Sequence, residues 1–212
     1  MTSDVSAFIK SNEFLDAIRK RRSIYALDKD VKASKEEITA TIQEAIKLAP
    51  SAFNSQSARA IILFGKESEK LWGEGGIVEK AIRKVLPEGQ SFDSTAKKLA
   101  SFNAGVGTIL FFEDRSVVEG LQKQFPLYAD NFPVWSEHST GIAQFAVWSA
   151  LADINVGASL QHYNPLIDED VRDTFDVPAS WKLRAQMPFG NIAEAAGPKE
   201  FQPISERVRI LG

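Results

Sequence analysis

Four places in the chain group side chains that could bind or react. The first is "RKRRS", in which Arg21, Arg22 and Ser23 offer two guanidiniums and a hydroxyl side by side. A guanidinium donates several hydrogen bonds from one planar fork, so the trio suits a phosphate or a heterocycle with acceptor oxygens. The same cations also suit a helix C-terminus, where the macrodipole is negative. The second is "PSAFNSQ", where Pro50, Ser51, Asn54 and Gln56 follow a helix end. Residues of these types build turns and present both donors and acceptors. They could grip the polar edges of a cofactor or simply make a helix-to-strand turn. The third is "SLQHYNP", with Leu160, Gln161 and His162 where a strand ends, a place where ligands of sheet proteins often lie. No histidine or carboxylate at ligand spacing accompanies His162, so a metal or acid–base role lacks its partner. The fourth is Arg207 and Arg209 near the C-terminus. At i and i+2 on a strand they would point the same way, either to close on a phosphate or to charge an exposed edge.

Other chemistry is excluded by what is missing. There is no cysteine, which removes disulfides, thiolate catalysis and sulfur-held zinc. No G-x-G-x-x-G fingerprint, P-loop, G-x-S-x-G elbow or H-E-x-x-H motif occurs. The net charge of −3 argues against binding nucleic acid by general electrostatics, and four cations at Arg19–Arg22 fall short of a basic face.

The elements that must position these groups follow from hydrophobic period. Asn12–Arg22 has helical spacing, with Arg19–Arg22 in its last turn. "SKEE" has the form of a capping box, Ser34 with Glu37, and Ile38, Ile42, Ala45, Ile46 and Ala49 form one stripe stopped by Pro50. "ARAIILFG" and "GVGTILFFED" read as buried strands, the second with Gly105 and Gly107 permitting close packing. Between them lie helical segments over Glu67–Leu86, broken at "GEGG", and over Ser91–Phe102. "DRSVVEGLQKQF" is a short helix and "PLYADNFPVW" an irregular aromatic connection. Ser136–Ile154 is a long helix apolar on most sides, which suits a core or a subunit interface. "NVGASLQ", "DEDVRDTFD" and "WKLRAQMPFG" read as strand, helix and strand. The mixture without strict alternation is α+β.

A chain of 212 residues with 44% hydrophobic and 25% charged residues can bury a sizeable core. The N-terminal "MTSDVSAFIK" lacks the pattern of a signal peptide. The stretch Ala104–Phe112 is about half of the roughly 20 residues that a membrane helix needs. A soluble, cytoplasmic protein is expected, with no membrane partner.

The order of "RRS", "PSAFNSQ" and a C-terminal Arg-x-Arg resembles the FMN-dependent nitroreductase family. "AFNSQSAR", "SLQHYNP" and "MPFGNIAE" are similar to its fatty-acid-repression and hydroperoxide-linked subgroup. The resemblance runs from about Phe14 to Ile210. It implies one nitroreductase-like domain over residues 1–212, with a central, mostly antiparallel sheet flanked by helices, in an intertwined homodimer. It further implies FMN at the subunit interface, reduced by NADH or NADPH and reoxidised by nitroaromatics, quinones or similar small molecules. By this resemblance Arg21, Arg22 and Ser23 grip the phosphate, ribityl chain and pyrimidine edge, and Arg207 and Arg209 close on the phosphate. Pro50, Ser51, Asn54 and Gln56 come from the partner subunit, and Leu160, Gln161 and His162 line the ring. No side chain is required as an acid or base. Many relatives continue "NSQ" with Pro-Trp where this chain has Ser57-Ala58, and carry Glu-Gly where it has His162-Tyr163. The same fold could also serve as a non-enzymatic flavin-binding or regulatory protein in lipid or oxidative-stress signalling.

Overall fold

The structure is a computed structural model that describes residues 12–212. The N-terminal segment read for a leader peptide lies outside them. The sheet is built from β1 (Leu27–Asp28), β2 (Ala58–Phe64), β3 (Gly107–Asp114), β4 (Gly157–Ala158) and β5 (Trp181–Ile192). Its order is β1-β5-β3-β2, and β4 also pairs with β5. Every strand pairing is antiparallel, as expected.

Side chains of a strand alternate between faces, and β3 shows what each face meets. Leu110 and Phe112 join a core with Leu71 and Trp72 of α3 (Lys66–Trp72), Val78 of α4 (Ile77–Val85), Phe102 of α5 (Asp93–Asn103) and Val171 of α8 (Asp168–Phe175). Ile109 and Phe111 join the opposite core, with Ile38 and Ile42 of α2 (Lys35–Leu48) and Val147 and Leu151 of α7 (Phe132–Asp153). Two further helices, α1 (Glu13–Lys20) and α6 (Arg115–Gln124), complete the set among the described residues. The sheet is thus covered on both faces, and α7 runs along one of them.

Local signals explain the boundaries. The Ser34 side chain accepts from the Glu37 N–H at 3.1 Å and opens α2. A Cβ on Gly107 would sit 2.4 Å from the Leu63 carbonyl oxygen, and one on Gly105 2.4 Å from that of Phe189. These glycines therefore let the strands close, as their positions suggested.

Four expectations need correction. Helix α7 starts at Phe132, not Ser136, because Pro133 is tolerated in a first helical turn. The strand expected over "NVGASLQ" shrinks to Gly157–Ala158 with one further bridge, Gln161 to Gln186. Arg207 and Arg209 are not on a strand: Ile204–Glu206 is a single 3-10 turn, Arg207 is in the right-handed helical region, and the residues after it have no ladder. A short alternating run forms a strand only where an edge offers hydrogen bonds. Finally, Arg21 and Arg22 lie beyond the last turn of α1, which Arg19 and Lys20 occupy.

Candidate functional site

The break in α1 aims the arginines. Arg21 is the C-cap, with its N–H on the Ala17 carbonyl and an extended backbone. From there the chain runs straight to β4, where Ser23 bridges Ala158 and the Ile24 N–H donates to the Ala158 carbonyl at 2.9 Å. Arg19 and Lys20 are paired with Asp16 and Asp153. Arg21 and Arg22 have no salt bridge among the described residues. The Arg21 guanidinium lies 4.4 Å from the ring centroid of Trp148 on α7, and its buried Nε has no hydrogen-bond partner. Burial, with the charge of Arg22 added, pulls the Arg21 guanidinium below the usual arginine range. Arg22 donates to the Gly197 carbonyl at 2.7 Å. Both arginines and Ser23 line a cleft of about 480 Å³ whose far wall is Glu194–Lys199. Two adjacent guanidiniums without a carboxylate partner, one holding an idle buried donor, suit a doubly charged oxyanion.

The loop after α2 forms a second cleft. It holds three left-handed residues that are not glycine: Phe53 (φ 57°), Asn54 (φ 49°) and Gln56 (φ 48°). Such conformations cost of order 1–3 kcal/mol each and gather at functional sites. Local bonds hold them, among them Gln56 N–H to Ser51 Oγ at 2.9 Å. An aromatic nest holds Phe53, with ring centroids at 5.1 Å to Phe125, 5.3 Å to Phe132 and 6.0 Å to a stacked Trp135. Phe53, Pro50, Ser51, Trp135, His138 and Ile142 line a mainly apolar cleft, also of about 480 Å³. Gln56 lines a smaller neighbouring cleft of about 170 Å³ that shares Pro50, Ser51 and Ser139. Sequence reasoning passed over Phe53, Trp135 and His138. The aromatic density of the segment before α7 was the available signal, but only a positive φ at Phe53 brings its ring to them.

Leu160–His162 follows β4 along the edge of β5. The Gln161 N–H donates to the Gln186 carbonyl at 2.7 Å, and the Gln186 N–H returns to Gln161 at 2.9 Å. This edge adjoins Ser23 through Ala158. The structure therefore sets Ser23 against the strand that leads into Leu160, Gln161 and His162, none of which lines the arginine cleft. It does not bring the other predicted residues to either group. Phe53 stacks on Trp135 and Arg21 on Trp148, positions that lie roughly 20 Å apart along α7 at 1.5 Å per residue. Pro50, Ser51, Asn54 and Gln56 thus sit at the opposite end of the sheet. Arg207 and Arg209 lie on an exposed tail and line neither cleft.

A family model described as the nitroreductase family matches residues 18–191. The chain belongs to the nitroreductase family. That membership makes it an oxidoreductase. It is 37% identical over 190 residues to HBN1 of Saccharomyces cerevisiae, covering 89% of this chain and 92% of that one. It is 47% identical to the nitroreductase CinD of Lactococcus lactis in complex with 4-nitrophenol, with a TM-score of 0.84 over 94% of this chain and 100% of that one. A Desulfovibrio desulfuricans protein solved with FMN matches at 21% identity and TM-score 0.69, over 96% and 99% of the two chains, and shows the fold alone. In this nitroreductase the residues that depart from the commoner pattern are built in. Ser57 is buried 2.9 Å from Ser136 Oγ, and the Tyr163 ring packs 5.5 Å from that of Trp72. No helix among the described residues is long and apolar enough to cross a membrane.

Proposed function

We propose that the protein is a cytoplasmic FMN-dependent NAD(P)H oxidoreductase that reduces nitroaromatics, quinones or similar acceptors, and that it acts as a homodimer. The observation that carries this is the uncompensated Arg21–Arg22 pair in its cleft. The orphaned Arg21 Nε, and the lack of a carboxylate partner for either arginine among the described residues, fit the phosphate end of FMN. When bound, the flavin supplies the redox chemistry, taking a hydride from NADH or NADPH and passing the electrons on in a ping-pong cycle.

The chain's own residues bind and orient. Arg21, Arg22 and Ser23 hold the phosphate and the polar chain. The edge Leu160–His162 lines the ring. Pro50, Ser51, Asn54 and Gln56 approach from a second subunit, in keeping with their position at the other end of the sheet. Arg207 and Arg209 join from the tail once a second subunit gives that tail a surface. Two features of the single chain favour such a partner. The tail carries Phe201 at 75%, Ile210 at 93% and Leu211 at 85% exposure, and α7 leaves Val134, Ile142 and Phe145 uncovered. The apolar cleft beside Phe53 has the size and aromatic walls suited to a one-ring acceptor.

The test is an anaerobic titration of purified protein supplied with FMN. The expected result is stoichiometric uptake, bleaching of the flavin absorbance by NADH or NADPH, and its return on adding 4-nitrophenol or a quinone. Protein that takes up no FMN, or whose flavin neither nicotinamide bleaches, overturns the proposal.

A further inference from the structure

Gln186 is a fully buried amide on β5 between Ala185 and Met187, which are also fully buried. A buried amide is costly unless its donors and acceptors are used. Four hydrogen bonds run from Gln186 to one short segment. Its N–H and carbonyl exchange bonds with Gln161. Its Oε1 accepts from the Tyr163 N–H at 2.8 Å, and its Nε2 donates to Asn164 Oδ1 at 3.4 Å. The Tyr163 N–H can only donate, which decides the orientation of the amide.

This clamp sets the parity of the segment. The N–H groups of Gln161 and Tyr163 turn inward to Gln186. Successive N–H groups of an extended chain point to opposite edges, so those of Leu160 and His162 turn outward. Ser23 and Ile24 cover that outer edge at Ala158. At His162 the structure records no acceptor for the N–H among the described residues. The His162 side chain is exposed, while Gln161 is buried and Tyr163 is packed against Trp72. One outward donor is therefore held between two anchored neighbours.

We propose that Gln186 is a positioning residue: by clamping Gln161 and Tyr163 it holds the His162 N–H as a fixed donor to the flavin ring. The proposal rests on the flavin reading above, which already sets Leu160–His162 against the ring; what it adds is the buried residue that aims the peptide. Gln186 itself touches nothing in the cleft.

The test is residue-resolved amide hydrogen exchange by NMR, with and without FMN, together with the midpoint potential of the bound flavin. In the wild type the Tyr163 N–H is protected in both states. The His162 N–H exchanges freely without FMN and at least roughly tenfold more slowly with it. In Gln186→Leu the Tyr163 protection is lost, FMN no longer slows His162, and the potential of bound FMN moves. His162→Pro deletes the outward donor without removing any recorded hydrogen bond, so it keeps the test open should Gln186→Leu not fold. It moves the potential in the same sense, and by more than His162→Ala. Wild-type protein that binds FMN without slowing His162 overturns the proposal, as do loaded Gln186→Leu and His162→Pro with unaltered spectrum and potential. Wild-type protein that takes up no FMN overturns the flavin reading as well, and so separates the two failures.

Discussion

Arg21 and Arg22 are adjacent in sequence yet held differently, and substitutions at each test the anion site from different sides. Arg21 rests on the Trp148 face with an idle buried Nε, whereas Arg22 is tied to the Gly197 carbonyl. A hydrogen bond to a charged group contributes about 1.5–3 kcal/mol. Arg21→Gln and Arg22→Gln are each expected to weaken FMN binding about 10- to 100-fold, read by quenching of flavin fluorescence. Since Arg22 also ties Gly197, Arg22→Gln should loosen Glu194–Lys199 to proteolysis, and Arg21→Gln should not. At the other cleft, Phe53 keeps a strained backbone for the sake of its ring contacts. Phe53→Ala is expected to raise KM for a nitroaromatic acceptor about 3- to 10-fold, the scale of one lost aromatic pair. KM for the nicotinamide should change less, and steady-state kinetics with both substrates varied separates the two.

At the scale of elements, Asp114 joins β3 to α6. Its carboxylate caps α6 at the Ser116 N–H and hydroxyl, 3.1 and 2.7 Å away, and pairs with Arg59 at 3.0 Å. Burial alone would raise this carboxyl. The Ser116 and Ser180 hydroxyls, the Ser116 N–H and the Arg59 charge outweigh it and hold the group below the usual aspartate range. A depressed folded-state value stabilises the fold above the unfolded pKa of about 4, and that contribution is lost as pH falls through the folded value. Asp114→Asn is therefore expected to cost about 1–2 kcal/mol at pH 7 and less at pH 3, measured by denaturant unfolding at both. Gly107→Ala, which forces a methyl against the Leu63 carbonyl oxygen, should cost about 1–3 kcal/mol at either pH. Elements of this kind were legible in the sequence because each long helix and buried strand states its own period and punctuation. The sheet edge was less so. β1 is two residues long, β4 is barely longer than a bridge, and Arg207 to Ile210 alternate without any edge to pair with. Pairing depends on a partner distant in sequence, which no local pattern encodes. The same limit applied at the site. "RRS" is visible as residue types, but the separation of Phe53 from Arg21 exists only once α7 measures it.

For the whole molecule, that separation constrains assembly. One chain places the arginines and the "PSAFNSQ" loop about 20 Å apart, at opposite ends of one helix; in the proposed homodimer a single flavin nucleotide draws the arginines from one chain and the loop from the other. Closed two-fold symmetry then gives two equivalent sites, each with arginines from one subunit and the loop from the other. This arrangement has a consequence that a site within one chain cannot reproduce. Take one variant with Arg21→Gln and Arg22→Gln, and another with Ser51→Ala and Asn54→Ala, each too weak to retain FMN alone. In a mixed dimer both defects fall on one site, and the other site inherits intact arginines and an intact loop. Co-expression with a different affinity tag on each variant isolates the mixed dimer, and its flavin content is read from absorbance. One FMN per mixed dimer is expected. A mixed dimer without flavin would mean that both sets of residues act within one chain, and a particle with the mass of one chain that still binds FMN would mean the same.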